Sequence, residues 1–154
     1  MSTVLPPLSL DEVTQSAEDP FAALNAILNS YNTAEVGPPK HLPLWLFARD
    51  PAGKVHGGLR GQTYWSWCWV DVLAVAEPYR RQGIGSRLLA KAEEIARSRG
   101  CAGIYLDTAS FQAPGFYSRH GYSRHGYSRH GYSEFGRLDG CPPGHSRHWF
   151  MKRF

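Results

Sequence analysis

The chain has 154 residues, of which 42% are apolar and 13% aromatic, so it is long enough to bury one core and short for two domains. Its 17 basic and 13 acidic side chains give a formal charge of +4, which suits an anionic ligand but is too small for the basic face of a nucleic-acid-binding protein. We see no apolar run of membrane-spanning length and no signal-peptide pattern, so we expect a single domain over 1–154, located in the cytoplasm, with no membrane partner.

The first half of the chain predicts one helix followed by antiparallel strands. Asp19-Pro20 supplies a capping residue and a proline at the first helical position, and apolar residues at steps of three and four predict a helix that ends near Tyr31. After the breaker at 37–39, strands are expected over 44–48, 55–59 and 63–75. Alternation along the last of these places a row of side chains on one face: Trp65, Trp67, Trp69 and Asp71.

A strand, a tight turn and a helix start meet within residues 70–86. The apolar strand ends at Glu77-Pro78, and apolar residues recur at helical spacing from Ile84 onward. The first amides of a helix have no partner within the helix, and the peptide dipoles leave partial positive charge there, so the junction favours an anion. Glycines at 83 and 85 let the backbone approach a phosphate, and arginines at 80 and 81 add donors. Neither a Walker loop nor a dinucleotide fingerprint is present, but a phosphate-binding loop is predicted.

This segment resembles the pyrophosphate loop of the GNAT superfamily of acyl-CoA-dependent N-acyltransferases. The pattern Arg/Gln-x-x-Gly-x-Gly/Ala is met by Arg80, Gly83 and Gly85. A helix over 86–99 that ends at Gly100, a second strand over 102–108 and the pair Phe116-Tyr117 follow in the superfamily's order, and the C-terminal part resembles a poorly characterised bacterial branch. The resemblance implies an α/β fold with a mixed, mostly antiparallel central sheet, a parallel splayed strand pair and flanking helices. The parallel pair also follows from the helix that connects its two strands.

The resemblance also implies an N-acetyltransferase that moves an acetyl group from acetyl-CoA to a primary amine of a small molecule or peptide. The coenzyme is expected to contact the end of the splayed strand and the loop: Leu73, Ala74, Val75, Arg80, Arg81, Gln82, Gly83, Ile84, Gly85 and Ser86. The tryptophan row either fills the space between the sheet and its covering helices or forms the wall of an acceptor pocket.

Two side chains are predicted to move protons in this reaction. Tyr117 matches the superfamily tyrosine near the coenzyme sulfur and can act as general acid, and the alternatives in the neighbouring repeats are Tyr122 and Tyr127. The glutamate base of some relatives is replaced here by Trp69, so Asp71 is the candidate base, with three alternatives: Glu77, Asp107 and His145. Many members of the superfamily use an ordered water instead, so a water is a further alternative. We find no cysteine placed as an acyl-carrying nucleophile, so we expect direct attack of the amine in a ternary complex.

Residues 117–131 repeat Tyr-Ser-Arg-His-Gly three times, and residues 132–136 form a decayed fourth copy. With a period of five, equivalent residues of the repeat do not share one face of a helix, and they alternate between the two sides of a strand. The repeat is therefore predicted to form an exposed loop or a frayed helix extension. Such a hinge could let the C-terminal strands exchange between the protomers of a homodimer. The alternative functions are a non-catalytic CoA-binding protein, RNA contact by the repeat, or a histidine-rich interaction or metal-binding module. We predict no metal, because the spacing does not bring the histidines to one helix face: His120, His125, His130, His145 and His148.

Overall fold

The structure is a computed structural model that describes residues 5–112 and 132–154. The chain divides into two compact units between Pro38 and Pro39. The predicted single domain over 1–154 stays a prediction.

The N-terminal unit contains helix α1 (Glu18–Val36). Its N-cap is Ala17, so the helix begins two residues before Pro20, the predicted first helical residue. It also continues past Tyr31, because residues 32–36 contain no helix breaker even though the apolar period has ended. The helix ends at Gly37, which has a φ of 84° and whose amide donates to a carbonyl of the last turn.

The unit from Pro39 onward contains a six-stranded sheet in the order β1-β2-β3-β4-β6-β5. Its strands are β1 (Leu42–Arg49), β2 (Val55–Tyr64), β3 (Trp67–Val75), β4 (Gly103–Ala109), β5 (Tyr132–Asp139) and β6 (Ser146–Arg153). Only β3 and β4 pair in parallel, and the other neighbours are antiparallel. The predicted α/β fold with a mixed, mostly antiparallel sheet and one parallel pair is therefore confirmed.

Helix α2 (Ile84–Ser98) covers one face of this sheet. Its buried residues recur at helical spacing, as predicted: Leu88, Leu89, Ala92 and Ala96. They pack against side chains from β2, β3, β4 and β6: Leu59, Cys68, Val70, Ile104, Leu106 and Phe150. The helix begins two residues before the predicted start at residue 86, and Gly100, with a φ of 74°, follows its end. Neither α1 nor α2, the α-helices of the described residues, has the length and hydropathy that a bilayer-crossing helix requires.

The hairpin between β2 and β3 differs from the prediction. The expected break at residues 60–62 is absent from the described chain, and the turn lies at Trp65-Ser66, which have φ angles of 40° and 62°. Two consecutive residues with positive φ form a two-residue turn whose twist matches that of the flanking strands. Such turns usually have the sequence Asn-Gly, so Trp-Ser gave no sign of the turn. Trp65 is therefore a turn residue and does not share the strand face of Trp67 and Trp69.

A β-bulge interrupts β3 at Asp71. Arg60 on β2 pairs with Val72 and Gly61 pairs with Val70, so Asp71 has no opposite residue on β2. The extra residue reverses the alternation, which explains why Val70 before it and Leu73 after it both pack toward the core.

Candidate functional site

The predicted phosphate loop links β3 to α2 at one end of the sheet. A short 3-10 turn over Glu77–Tyr79 follows the strand, and α2 begins at Ile84. Arg81 and Gly83 have φ angles of 60° and 77°, and the Arg87 amide donates to the Gly83 carbonyl at 3.0 Å. These two left-handed residues turn the chain sharply into the helix, so the loop has the backbone geometry that the glycine pattern predicts.

The loop is held by two of its own side chains. Nε of Arg80 donates to the Val75 carbonyl at 3.0 Å, and Nε2 of Gln82 donates to the Pro78 carbonyl at 3.1 Å. Both residues are predicted coenzyme contacts. In this structure Arg80 ties the loop to the end of β3 and Gln82 ties it to the 3-10 turn, and their contact with a ligand stays a prediction.

The space in front of the helix start is open. Apart from Gly83 and its two chain neighbours, no heavy atom of the described residues lies within 4 Å of the position that a Cβ on Gly83 would take. A phosphate can therefore approach this backbone closely, with the first turn of a 15-residue helix behind it. Ile84, Gly85 and Ser86 form that first turn, and their contact with a phosphate stays a prediction. Their surroundings fit a pyrophosphate group.

The parallel strands separate beside this loop. Pairing between β3 and β4 runs from Trp67–Gly103 to Val70–Leu106 and ends there. Beyond that point β3 remains paired with β2, and β4 with β6, so a gap opens between the two strands. Predicted contacts Leu73, Ala74 and Val75 lie along this gap, which confirms the splayed pair and leaves their coenzyme contacts as predictions.

The face of the sheet away from α2 carries polar and aromatic side chains on both sides of the gap. Asp71 on β3 forms an ion pair with Arg60, and Asp107 on β4 forms one with Arg147 at 2.8 Å. Trp69 and Tyr105 are register partners one step before the gap. Two of the three carboxylates named as candidate bases, Asp71 and Asp107, are thus next to the splayed strands, each with an arginine partner.

Arg147 also presents an unused donor. Its Nε is buried and has no hydrogen-bond partner among residues 5–112 and 132–154. A buried unpaired donor is costly, so this atom is a candidate contact for an oxygen of a bound ligand.

A groove of about 530 Å³ lies beside the loop, between β1 and the first two turns of α2. Its lining includes the basic residues Arg49, Arg87 and Lys91. It also contains His56, whose Nε2 lies 2.7 Å from Asp50 Oδ2, and this hydrogen bond lowers the pKa of the Asp50 carboxyl.

Several predicted residues are not among those that the structure brings together at the gap. Tyr117, Tyr122 and Tyr127 and the first three repeat copies lie outside the described residues, and only the decayed fourth copy is described, as the start of β5. Glu77 lies on the exposed 3-10 turn, and His145 is near the Ser110 hydroxyl at 3.4 Å. In the part of the chain that the structure describes, no three His, Cys, Asp or Glu side chains cluster as metal ligands.

Two polar clusters were missed by the sequence analysis. The hydroxyls of Tyr64 and Tyr105 bond to each other, and burial together with that bond raises the pKa of Tyr105. The second cluster joins Glu134, His148 and Ser146. The i, i+2 spacing of Ser146 and His148 on a strand could have suggested their contact, but Glu134 joins them only through the pairing of β5 with β6.

Comparison with known proteins agrees with this fold. A family model described as the Acetyltransferase (GNAT) family matches residues 10–122. Acetyltransferase Atu2258 of Agrobacterium fabrum is 36% identical over 154 residues, which is 100% of each chain. Blasticidin-S acetyltransferase of Streptomyces morookaense is 42% identical over 107 residues, 69% of this chain and 71% of that protein. The crystal structure of an acetyltransferase from Bacillus cereus superposes with a TM-score of 0.78 at 32% identity, covering 94% of this chain and 98% of the other.

Proposed function

This chain belongs to the GNAT family of acetyltransferases, and we propose that it moves the acetyl group of acetyl-CoA to a primary amine of a small molecule or peptide by direct attack in a ternary complex. One observation carries the proposal. The strand-turn-helix junction with its left-handed Gly83 lies next to a parallel strand pair whose pairing ends at Val70–Leu106. A ligand with a diphosphate and a long amide-containing arm fits that combination.

The coenzyme side of the site is formed by backbone. The start of α2 would hold the pyrophosphate, and the edge of β3 over 73–75 offers amide and carbonyl groups to the pantetheine arm. Acetyl-CoA supplies an activated acetyl thioester. An amide aimed at the carbonyl oxygen would stabilise the negative charge that develops there during attack.

The amine side lies on the other face of the sheet. Helix α2 and the core fill one face, so an acceptor reaches the gap from the face that carries Trp69, Asp71 and Asp107. The carboxylates on the two sides of the gap are each paired with an arginine, so this face offers both hydrogen-bond acceptors and donors to an amine-containing acceptor. Asp71 would accept the proton that the ammonium must lose before nitrogen can attack, and Tyr117 would protonate the departing thiolate.

Two measurements test the assignment. Calorimetry with CoA tests binding, and thiol release from acetyl-CoA with a panel of primary amines tests catalysis. CoA binding without amine-dependent thiol release would indicate a non-catalytic CoA-binding protein. Failure of both would remove the proposal.

The acceptor wall is tested separately by Trp69→Ala. We expect a higher KM for the amine and an unchanged affinity for CoA, because the indole lies on the acceptor face. Phe135→Ala is the matched control, since Phe135 lies on edge strand β5 and is 51% exposed. Loss of stability in Trp69→Ala without a change in KM would assign the ring to packing alone.

We further propose that the enzyme acts in the cytoplasm without a metal, a membrane or a nucleic-acid partner. Its repeat would act as a hinge through which the C-terminal strands β5 and β6 exchange between two protomers. A variant lacking residues 122–131 should then be monomeric in size-exclusion chromatography under conditions in which the parent chain forms a dimer. A parent chain that stays monomeric at all concentrations would refute the exchange.

A further inference from the structure

A row of three hydrogen-bonded side chains lies on β5 and β6, on the face of the sheet that α2 covers. Glu134 Oε1 is 2.6 Å from His148 Nδ1, and His148 Nε2 is 2.7 Å from Ser146 Oγ. Ser146 is 7% exposed and His148 is 8% exposed. The acetyl transfer proposed above uses none of these groups.

The carboxylate determines how the row is protonated. The Glu134 carboxylate can accept a hydrogen bond but cannot donate one, so Nδ1 of His148 carries the proton. In the neutral imidazole Nε2 then has a lone pair, and the Ser146 hydroxyl donates to it. The order is hydroxyl, imidazole, carboxylate, which is the arrangement that activates a serine for nucleophilic attack.

The row is close to the gap and its backbone is fixed. His148 is the register partner of Thr108, which is two residues past the last β3–β4 pair at Leu106. The Ser146 amide donates to the Ser110 hydroxyl at 3.1 Å, and the Ser146 carbonyl accepts from the Ser110 amide at 2.7 Å. Ser146 is therefore held rigidly, one strand away from the place proposed for the thioester.

We propose that Ser146 is an acyl-accepting nucleophile, which gives this chain a hydrolase activity toward acetyl thioesters and activated acetyl esters in addition to amine acetylation. Oγ bonds to the carbonyl carbon while His148 Nε2 takes the hydroxyl proton. The bond from carbon to sulfur or oxygen breaks, and the leaving group takes that proton from His148. Water, deprotonated by His148, then cleaves the acetyl-serine ester to acetate and restores Ser146. Glu134 is a positioning residue that keeps the imidazole in the required tautomer.

The test uses p-nitrophenyl acetate with the intact chain and no coenzyme, so it does not depend on the CoA loop. We expect continuous release of p-nitrophenol and, after rapid quenching, one acetyl group on the peptide that contains Ser146. Ser146→Ala should lower the rate at least about 100-fold. The matched control is Ser133→Ala on β5, a hydroxyl outside the row, which should keep the parent rate.

A second variant guards against a fold defect in Ser146→Ala. Glu134→Gln keeps the side-chain shape but can present an amide donor to Nδ1, so we expect about a 100-fold slower hydrolysis with an unchanged thermal melting curve. Three results would each overturn the proposal. The acetyl group could be found on a residue other than Ser146, the parent and Ser146→Ala could hydrolyse the ester at equal rates, or Glu134→Gln could keep the full rate of hydrolysis. Ester hydrolysis in a chain that fails to bind CoA would refute the acetyl-CoA assignment and leave this one standing.

Discussion

Substituting the glycine at each end of α2 separates the phosphate loop's function from backbone strain. Gly83 precedes the helix with a φ of 77°, and Gly100 follows it with a φ of 74°. At both positions a Cβ would meet no heavy atom of the described residues within 4 Å, apart from the glycine and its two chain neighbours. An alanine therefore causes no clash at either site. The remaining cost is that of holding an alanine in a left-handed conformation, which destabilises the folded state by about 1 kcal/mol in each case.

We expect Gly83→Ala and Gly100→Ala to lower the melting temperature by similar amounts, roughly 2–4 °C for a chain of this size. Only Gly83→Ala should weaken CoA binding, because its Cβ occupies the space through which the phosphate approaches the backbone. Loss of one hydrogen bond to a charged phosphate costs about 1.5–3 kcal/mol, or roughly 10- to 100-fold in Kd. Denaturation and CoA calorimetry on both variants measure the two effects. Equal CoA affinities in the two variants, whether parental or reduced, would contradict the assignment of the loop.

Three further predictions concern the base, the sheet and a buried thiol. Asp71→Asn should lower kcat with an amine about 100-fold at neutral pH and leave CoA affinity unchanged, and a parental kcat would exclude Asp71 as the base. Gly103→Ala should lower the free energy of unfolding in urea by about 1–3 kcal/mol, because its Cβ would lie 2.5 Å from the Lys152 carbonyl oxygen, and an unchanged midpoint would contradict that packing. Burial raises the pKa of Cys68 to about 12 from 9.0, so the unfolded thiol ionises first and the free energy of unfolding should fall as pH rises from 9 toward 12. The same titration of Cys68→Ala should show a smaller fall, and identical curves would refute the shift.

The phosphate loop and the helix after it were predictable because their signals are local. Gly83 adopts the left-handed conformation that glycine tolerates, and the apolar period from Ile84 is the face that α2 buries. The helix starts two residues earlier than predicted, which changes no residue of the loop. Short-range backbone preferences and the helical period were sufficient here.

The residues around the gap were harder to predict because they depend on pairing between strands. Asp71 was expected on a shared face with three tryptophans. The bulge places it opposite no β2 residue and beside Arg60, and the turn at Trp65-Ser66 removes one ring from the row. The local sequence predicts neither feature. The turn uses residues that rarely adopt positive φ, and the bulge inserts a charged residue into an otherwise regular strand.

The sequence by itself determined the anion-binding turn and the periodic helix, because each depends on residues within one or two turns of the backbone, and the order of these motifs along the chain indicated the family. The tertiary structure decided where the parallel strands separate, at Val70–Leu106, and which distant side chains meet, such as Glu134 with His148. Strand register sets both, and register follows from the packing of a whole sheet against its helix, which a single segment does not encode.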